Sequence, residues 1–383
     1  MAFFDAAPAP GGPAVQCSPA PVTRPTVNLT ALTVRNFRNI AALDLELPGS
    51  GAVVIGENGQ GKTNFLEAIY YLVLFRSLRN AKDRELVRFG EPGFFVAGTA
   101  THRVTAGYEV AGKRKKVTVD GRKVERLGDA VGALLAVAFG PSDRGMVSGG
   151  PSGRRRYVDV VLSLSRSGYL RDLMAVRAAL RQRNAALRRG NAPAARAFDR
   201  PFADAAVRIG RARREWVEQW HTRFAEVCRR LGETAPVTLR YQSRGWDPEP
   251  SSDAVLRVLD DTAPRDARGG ATTVGPHRDD LTLLLGERDL RTYGSAGQQR
   301  TAAIGLRILE AETLAAARGA PPIALYDDVF AELDQNRQSR LLEMIAESLS
   351  GQAIVAAPRD AEVPRGLLDR PRWTMAGGRL VAG

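Results

Sequence analysis

Apolar residues recur along this chain with two different periods, and each change of period marks an element. LTALTV at 29–34 and LDLEL at 43–47 alternate as half-buried strands do, and GAVVI at 51–55 is apolar throughout, as a covered strand is. From Gly61 to Phe75 the period lengthens: Phe65, Ile69, Leu72 and Val73 fall on one face of a predicted helix. Short strands separated by glycines follow over about 94–120, with KRKK at 113–116 on a hairpin. The segment 160–231 is helical in pattern. Leu170, Leu173, Leu180 and Leu187 mark one helix, ended at Gly190-Asn191-Ala192-Pro193, and Phe202, Ile209, Trp216, Trp220 and Val227 mark a second, antiparallel one. Two helices of about 28 residues would each reach roughly 40 Å. LTLLL at 281–285, a helix from 296 to about 318, PIALY at 322–326, a helix over 335–349 and QAIVAA at 352–357 then return to an α/β pattern.

The pattern predicts an α/β domain interrupted by a helical lobe. Residues 1–26, rich in Ala, Pro and Gly, read as a disordered extension; 27–158 and 251–383 read as the two parts of the α/β domain, and 159–250 as the inserted lobe. At 383 residues, 44% hydrophobic and 25% charged, the chain can bury a sizeable core. No run of about 18 apolar residues occurs, and the start of the chain does not read as a secretory signal, so a cytoplasmic protein without a membrane partner is expected. Cys17, Cys228 and three histidines are too few for a disulfide framework or a Cys/His metal site.

Charge sharpens the picture of the lobe. The net charge is +13, and Pro151 to Arg230 holds 19 Arg, no Lys and 7 acids, against 36 basic and 35 acidic residues elsewhere. Compositional bias explains Arg over Lys but not the clustering, which points to a polyanion such as DNA. Arg154, Arg211, Arg213 and Arg214, with Lys113, Lys115 and Lys116 of the hairpin, are the candidate DNA contacts. The hairpin cations read equally as a solvated face, and Trp216 with Trp220 reads as helix packing before base stacking.

Three short segments carry chemistry. Gly56-Glu57-Asn58-Gly59-Gln60-Gly61-Lys62-Thr63 matches G-x-x-x-x-G-K-[ST] at every fixed position, between the buried strand and the helix. Glycines 56, 59 and 61 let backbone N–H groups close on phosphate oxygens at a helix N-terminus, and Asn58 and Asn64 belong to the same nucleotide site. Lys62 is expected on the β- and γ-phosphates and the Thr63 hydroxyl on Mg²⁺. Pro322-Ile323-Ala324-Leu325-Tyr326-Asp327-Asp328 is an apolar strand ending in two acids, suited to Mg²⁺ at Asp327 and to water activation at Asp328. Ser295-Ala296-Gly297-Gln298-Gln299 opens a helix, with Ser295 as N-cap and free N–H groups suited to a second anion.

That last segment resembles the ABC-type signature, usually Leu-Ser-Gly-Gly-Gln, with Ala296 in place of the first glycine. The order P-loop, helical insertion, signature, acid-tipped strand and Ala331-Glu332-Leu333-Asp334 resembles the SMC-like ABC ATPases, with room for only a short hairpin. LTVRNFRNI at 32–40, GGPSGRRRYVD at 149–159 and GPHRDDL at 275–281 extend the resemblance, over about 28–360, to the RecF family of bacterial recombination mediators. The resemblance implies an ABC-type ATPase head with a helical lobe, using ATP and Mg²⁺. It also implies that Ser295, Gly297 and Gln298 act in trans across an ATP-dependent homodimer, with Asp334 in the D-loop. DNA with a gap or junction is the implied partner, bound without sequence preference and stimulating slow hydrolysis, with RecR and RecO joining in the loading of RecA.

Two departures accompany the resemblance. No switch histidine follows the next strand, which runs into Ala357, Pro358 and Arg359, and no glutamine stands near Phe139-Gly140-Pro141-Ser142-Asp143; both point to slow turnover. His277 and Arg278 read either as nucleotide or lobe-coupling contacts or as parts of a tight turn. The other functional readings are a transporter's ATPase subunit, which shares the three motifs, and an ATP switch that does not hydrolyse.

Overall fold

The computed structural model describes residues 28–247, 251–330, 333–348, 351–363, 365–367 and 369–382, so the expectation for 1–26 lies outside the described residues. An antiparallel sheet is formed by β1 (Ala31–Phe37), β2 (Ile40–Glu46), β4 (Gly93–Thr99), β5 (Arg103–Glu109) and β6 (Arg114–Val119), in the order β2-β1-β4-β5-β6, with the two residues Arg122–Lys123 pairing as a sixth strand at the β6 edge. A second sheet holds β3 (Gly51–Ile55), β7 (Ala136–Phe139), β10 (Ile323–Asp327), β11 (Ala353–Ala357), β12 (Arg372–Ala376) and β13 (Arg379–Ala382). Its order is β13-β12-β3-β11-β10-β7, parallel throughout except for the β12–β13 hairpin.

The helix after the P-loop, α1 (Lys62–Leu74), touches both sheets. The one-faced pattern expected for it is therefore incomplete: every residue from Phe65 to Val73 is buried, Glu67 included. Phe37, Tyr71 and Phe94 lock it to the antiparallel sheet by edge-to-face contacts at 5.2–6.0 Å. In the parallel sheet Ala356 of β11 pairs with both Val54 and Asp327, so the P-loop and the acids leave the same edge, one strand apart.

The lobe differs from its predicted form. The chain breaks at Gly168, whose left-handed backbone (φ +83°) separates α2 (Pro151–Ser165) from α3 (Tyr169–Arg188). The hairpin is thus unequal, with 20 residues in α3 and 32 in α4 (Asp199–Arg230), about 30 and 48 Å long. After β8 (Val237–Gln242) the chain forms α5 (Ser252–Gly269), which packs on α3 and α4, while α2 packs against β9 (Asp280–Leu285) and α6 (Ala296–Arg318). The 158/159 boundary consequently falls inside α2, and the segment after 250 opens with a helix that packs on the lobe.

Trp216 is buried and donates from its indole N–H to Thr313 Oγ1 of α6 at 3.1 Å, so it packs α4 onto the core. α7 (Gln335–Ser348) precedes β11. Among the described residues no helix is long and apolar enough to cross a membrane.

Candidate nucleotide site and the arginine-rich lobe

The P-loop conformation follows from its glycines. A Cβ at Gly56 would stand 2.3 Å from the Met375 carbonyl oxygen, and Gly59 and Gly61 adopt φ of +83° and +118°. Lys62 is 4% exposed; its ammonium folds over the loop to donate to the carbonyls of Gly56 (2.7 Å) and Glu57 (3.3 Å). Gln60 is clamped from outside the motif. Asn39 Nδ2 donates to its carbonyl at 3.0 Å, as does the Gly378 N–H at 2.8 Å, and the Gly377 N–H donates to its side chain at 2.7 Å. Asn64 turns away from the loop's interior, donating to Asn39 Oδ1 and accepting from Arg79, while Asn58 is exposed at the tip.

Thr63 Oγ1 donates to Asp327 Oδ1 at 2.8 Å, across 264 residues of chain. Burial, helped by the neighbouring Asp328 and opposed by this hydrogen bond, pushes the Asp327 carboxyl up to about 6. Asp328 is different in kind. Its backbone is left-handed (φ +49°), an uncommon conformation for a side-chain-bearing residue, and its Oδ1 is buried with no hydrogen-bond partner. Burial raises its pKa, with Lys62 pulling the other way. A hydroxyl and a carboxylate side by side are the hard oxygen donors that Mg²⁺ takes, and a lysine with a glycine cradle suits a polyphosphate. The residues fit both groups.

Ser295 caps α6. Its hydroxyl accepts from the Gln298 N–H at 3.2 Å while Gln298 Oε1 accepts from the Ser295 N–H at 2.9 Å, a reciprocal capping box. Ser295 and Ala296 are exposed, Gln298 reaches Glu233 at 3.1 Å, and Gly297 leaves space that the Arg337 guanidinium fills. Asp334 accepts from the Arg337 N–H at 3.0 Å at the start of α7; Ala331 and Glu332 lie outside the described residues. β11 ends at Ala357 and continues into Pro358 and Arg359, as read from the sequence.

The candidate DNA contacts divide. Arg154 and Arg213 are corrected: they are 5% and 3% exposed and spent on internal carboxylates. Arg154 holds both oxygens of Asp280 at 2.9 Å, and Arg213 donates to Asp159 at 2.8 Å and to the Pro276 carbonyl at 2.7 Å. Lys115 is also structural, paired with Asp83 at 2.8 Å, bonded to the Phe75 carbonyl and set over the Tyr71 ring. Arg214 pairs with Asp247 at 2.7 Å. Arg211, Lys113 and Lys116 are exposed.

The cause is one of partnership. Acids from beyond the block, including Asp266, Asp280 and Glu312, neutralise its arginines. His277 belongs to the turn: its Nε2 is 3.0 Å from the Thr272 carbonyl and its ring meets Phe202 edge-on.

Sequence reasoning missed Arg79, Gly377 and Gly378 around the P-loop. Asn39 lay unrecognised inside LTVRNFRNI, whereas nothing near Arg79 signalled its contact with Asn64.

A P-loop and an acid-tipped strand on one edge of a parallel sheet, with a capped signature helix and an inserted helical lobe, define an SMC-like ABC ATPase head. A family model described as the RecF/RecN/SMC N terminal domain matches residues 28–366. The DNA replication and repair protein RecF of Anaeromyxobacter dehalogenans is 40% identical over 347 residues, covering 86% of this chain and 92% of its own. A solved structure of the recombination mediator protein RecF-ATP in the RecFOR pathway superposes with a TM-score of 0.86 at 28% identity, covering 95% of this chain and all of that one. An Smc head domain from Pyrococcus furiosus shares the fold, with a TM-score of 0.54 at 14% identity over 93% of this chain and 96% of its own. The chain belongs to the RecF family of SMC-like ABC ATPases.

Proposed function

We propose that this protein is an ATP-driven DNA clamp of recombinational repair and replication-gap repair. Two copies close on DNA when each holds ATP, and slow, DNA-stimulated hydrolysis to ADP and phosphate reopens them. With RecR and RecO, the clamp helps load RecA. The observation that carries this reading is the split character of the site. One chain supplies the P-loop, the Thr63–Asp327 pair and the unpartnered Asp328, while its signature cap at Ser295 faces outward, available to a second copy.

Lys62 exchanges its two carbonyl partners for phosphate oxygens. Thr63 and Asp327 would hold Mg²⁺, which when bound would neutralise phosphate charge. Asp328, already short of one hydrogen bond, accepts the proton of the attacking water or orients it. Its half-buried, left-handed position and the absence of a histidine at 357–359 suit slow turnover.

Sedimentation velocity with and without ATP, Mg²⁺ and gapped DNA tests the reading. The expected result is a monomer that becomes a dimer only with ATP and then binds DNA. Ser295→Arg should bind ATP normally yet stay monomeric, because its side chain would occupy the partner's γ-phosphate position. A mass that ignores ATP overturns the clamp.

A further inference from the structure

The arginines around the lobe fall into two populations. One is spent on carboxylates: Arg154, Arg183 and Arg213 inside, and Arg166, Arg208 and Arg223 further out. Others form no ion pair among the described residues; of these, Arg76, Arg155, Arg156, Arg244, Arg265 and Arg278 line cavities beside α2, with Arg155 and Arg278 donating only to the backbone carbonyls of Asp279 and Thr272. Nearby acids are already committed. Asp280 is taken by Arg154, Asp279 by Tyr241 and Trp246, and Asp159 by Tyr169 and Arg213.

These six line a track of three cavities, each sharing lining residues with the next. A cavity of about 450 Å³ beside the end of α1 is lined by Arg76 and Arg156. A second, of about 190 Å³, shares Arg156 with it and adds Arg155 and His277. A third, of about 560 Å³, shares Arg155 and His277 with the second and adds Arg244, Arg265 and Arg278. The first turn of α2, opened by Gly150 and Pro151, borders the track and adds the positive end of a helix. Burial first, and a neighbouring guanidinium after it, pull the pKa values of Arg76, Arg155 and Arg156 down. Like charges are therefore held together in a partly desolvated place, an arrangement that an anion would relieve.

We propose that this track is the bed for the phosphodiester backbone of a nucleic-acid strand, crossing the first turns of α2 from Arg76 to Arg244 and Arg278. The proposal rests on the DNA-clamp reading and gives that reading an address on the surface. A strand fits better than a lone phosphate because the cations without carboxylate partners are spread over three neighbouring cavities. Guanidiniums aimed at phosphates carry no base information, so binding is independent of sequence.

Fluorescence anisotropy of labelled oligonucleotides across a salt series, using the full chain with ATP and Mg²⁺, tests the track. Arg244→Glu/Arg265→Glu alters two exposed side chains and should weaken binding at least tenfold at low salt. Its log–log salt slope should flatten by about 0.9 for each phosphate that is no longer neutralised on duplex DNA. Arg171→Glu, exposed on α3 but outside the track, should bind as wild type does. Normal melting with unchanged affinity in the double variant overturns the track and leaves the clamp reading standing. A wild-type chain that binds no DNA takes down both. Saturable binding of tripolyphosphate that the double variant abolishes, with DNA binding intact, would also overturn the proposal, making the track a small-anion site. If the double variant melts early, Arg244→Gln and Arg265→Gln carry the same comparison singly.

Discussion

The chain concentrates charge in two places and handles it in opposite ways. In the interior of the lobe each charge is consumed: Arg183 is buried between Asp199 and Asp266, and Arg213 is fixed by Asp159 and a carbonyl. At the edge of the parallel sheet, Lys62 makes do with two carbonyls and Asp328 leaves an oxygen without any partner. Consumed charge holds elements together. Charge left over at a geometrically defined edge is held ready for something that arrives. The number of charges in a region does not separate these two cases, but their partners do.

The sharpest way to break this contrast is Lys62→Ala. Removing the one cation placed on the β/γ-phosphates should abolish nucleotide binding by calorimetry while the melting temperature stays near wild type; retained affinity would move Lys62 to the structural side. Arg213→Ala should do the reverse. It leaves the buried Asp159 with only the Tyr169 hydroxyl and the more distant, half-exposed Arg177, and should cost about 3 kcal/mol of stability in denaturant titration, with the nucleotide affinity of the folded fraction unchanged. Asp328→Asn should bind ATP and slow hydrolysis by ~10²-fold or more; a wild-type rate would deny Asp328 its role on water.

His277 gives the smallest effect. Burial lowers its pKa from 6.5 to about 4, so the folded chain keeps it neutral. As pH falls below 6.5 the unfolded chain takes up a proton that the folded chain refuses, and stability drops by about 1.4 kcal/mol per pH unit until the folded pKa is reached. Relative to wild type, His277→Gln should therefore lose about 2 kcal/mol less between pH 7 and pH 5. Parallel stability curves would show that His277 titrates normally.

What could be read from sequence follows the same division. The P-loop and the Asp327–Asp328 pair are runs of adjacent residues whose chemistry depends on local backbone, so the residues themselves announced it. The fate of Arg154 depended on Asp280, 126 residues away, and no local pattern reports such a pairing. The break at Gly168 was hidden because the apolar positions on either side of it continue a helical period. The burial of α1 on all sides depended on two sheets meeting around it, although Tyr70 and Tyr71 already extended its apolar surface beyond one face. Clamping of Gln60 by Gly377 and Gly378 had no local signature.

That clamp sets a schedule. The Gly377 N–H and the Gln60 side chain it holds are 317 residues apart, and the Thr63–Asp327 contact spans nearly as much chain. At a synthesis rate of about 5–20 residues per second, the P-loop emerges roughly 15–60 s before the turn that braces it. Contacts of such separation also form slowly once both ends exist. A nascent chain carries the nucleotide-binding motif long before it carries a supported nucleotide-binding loop, and ATP can reward only the finished polypeptide.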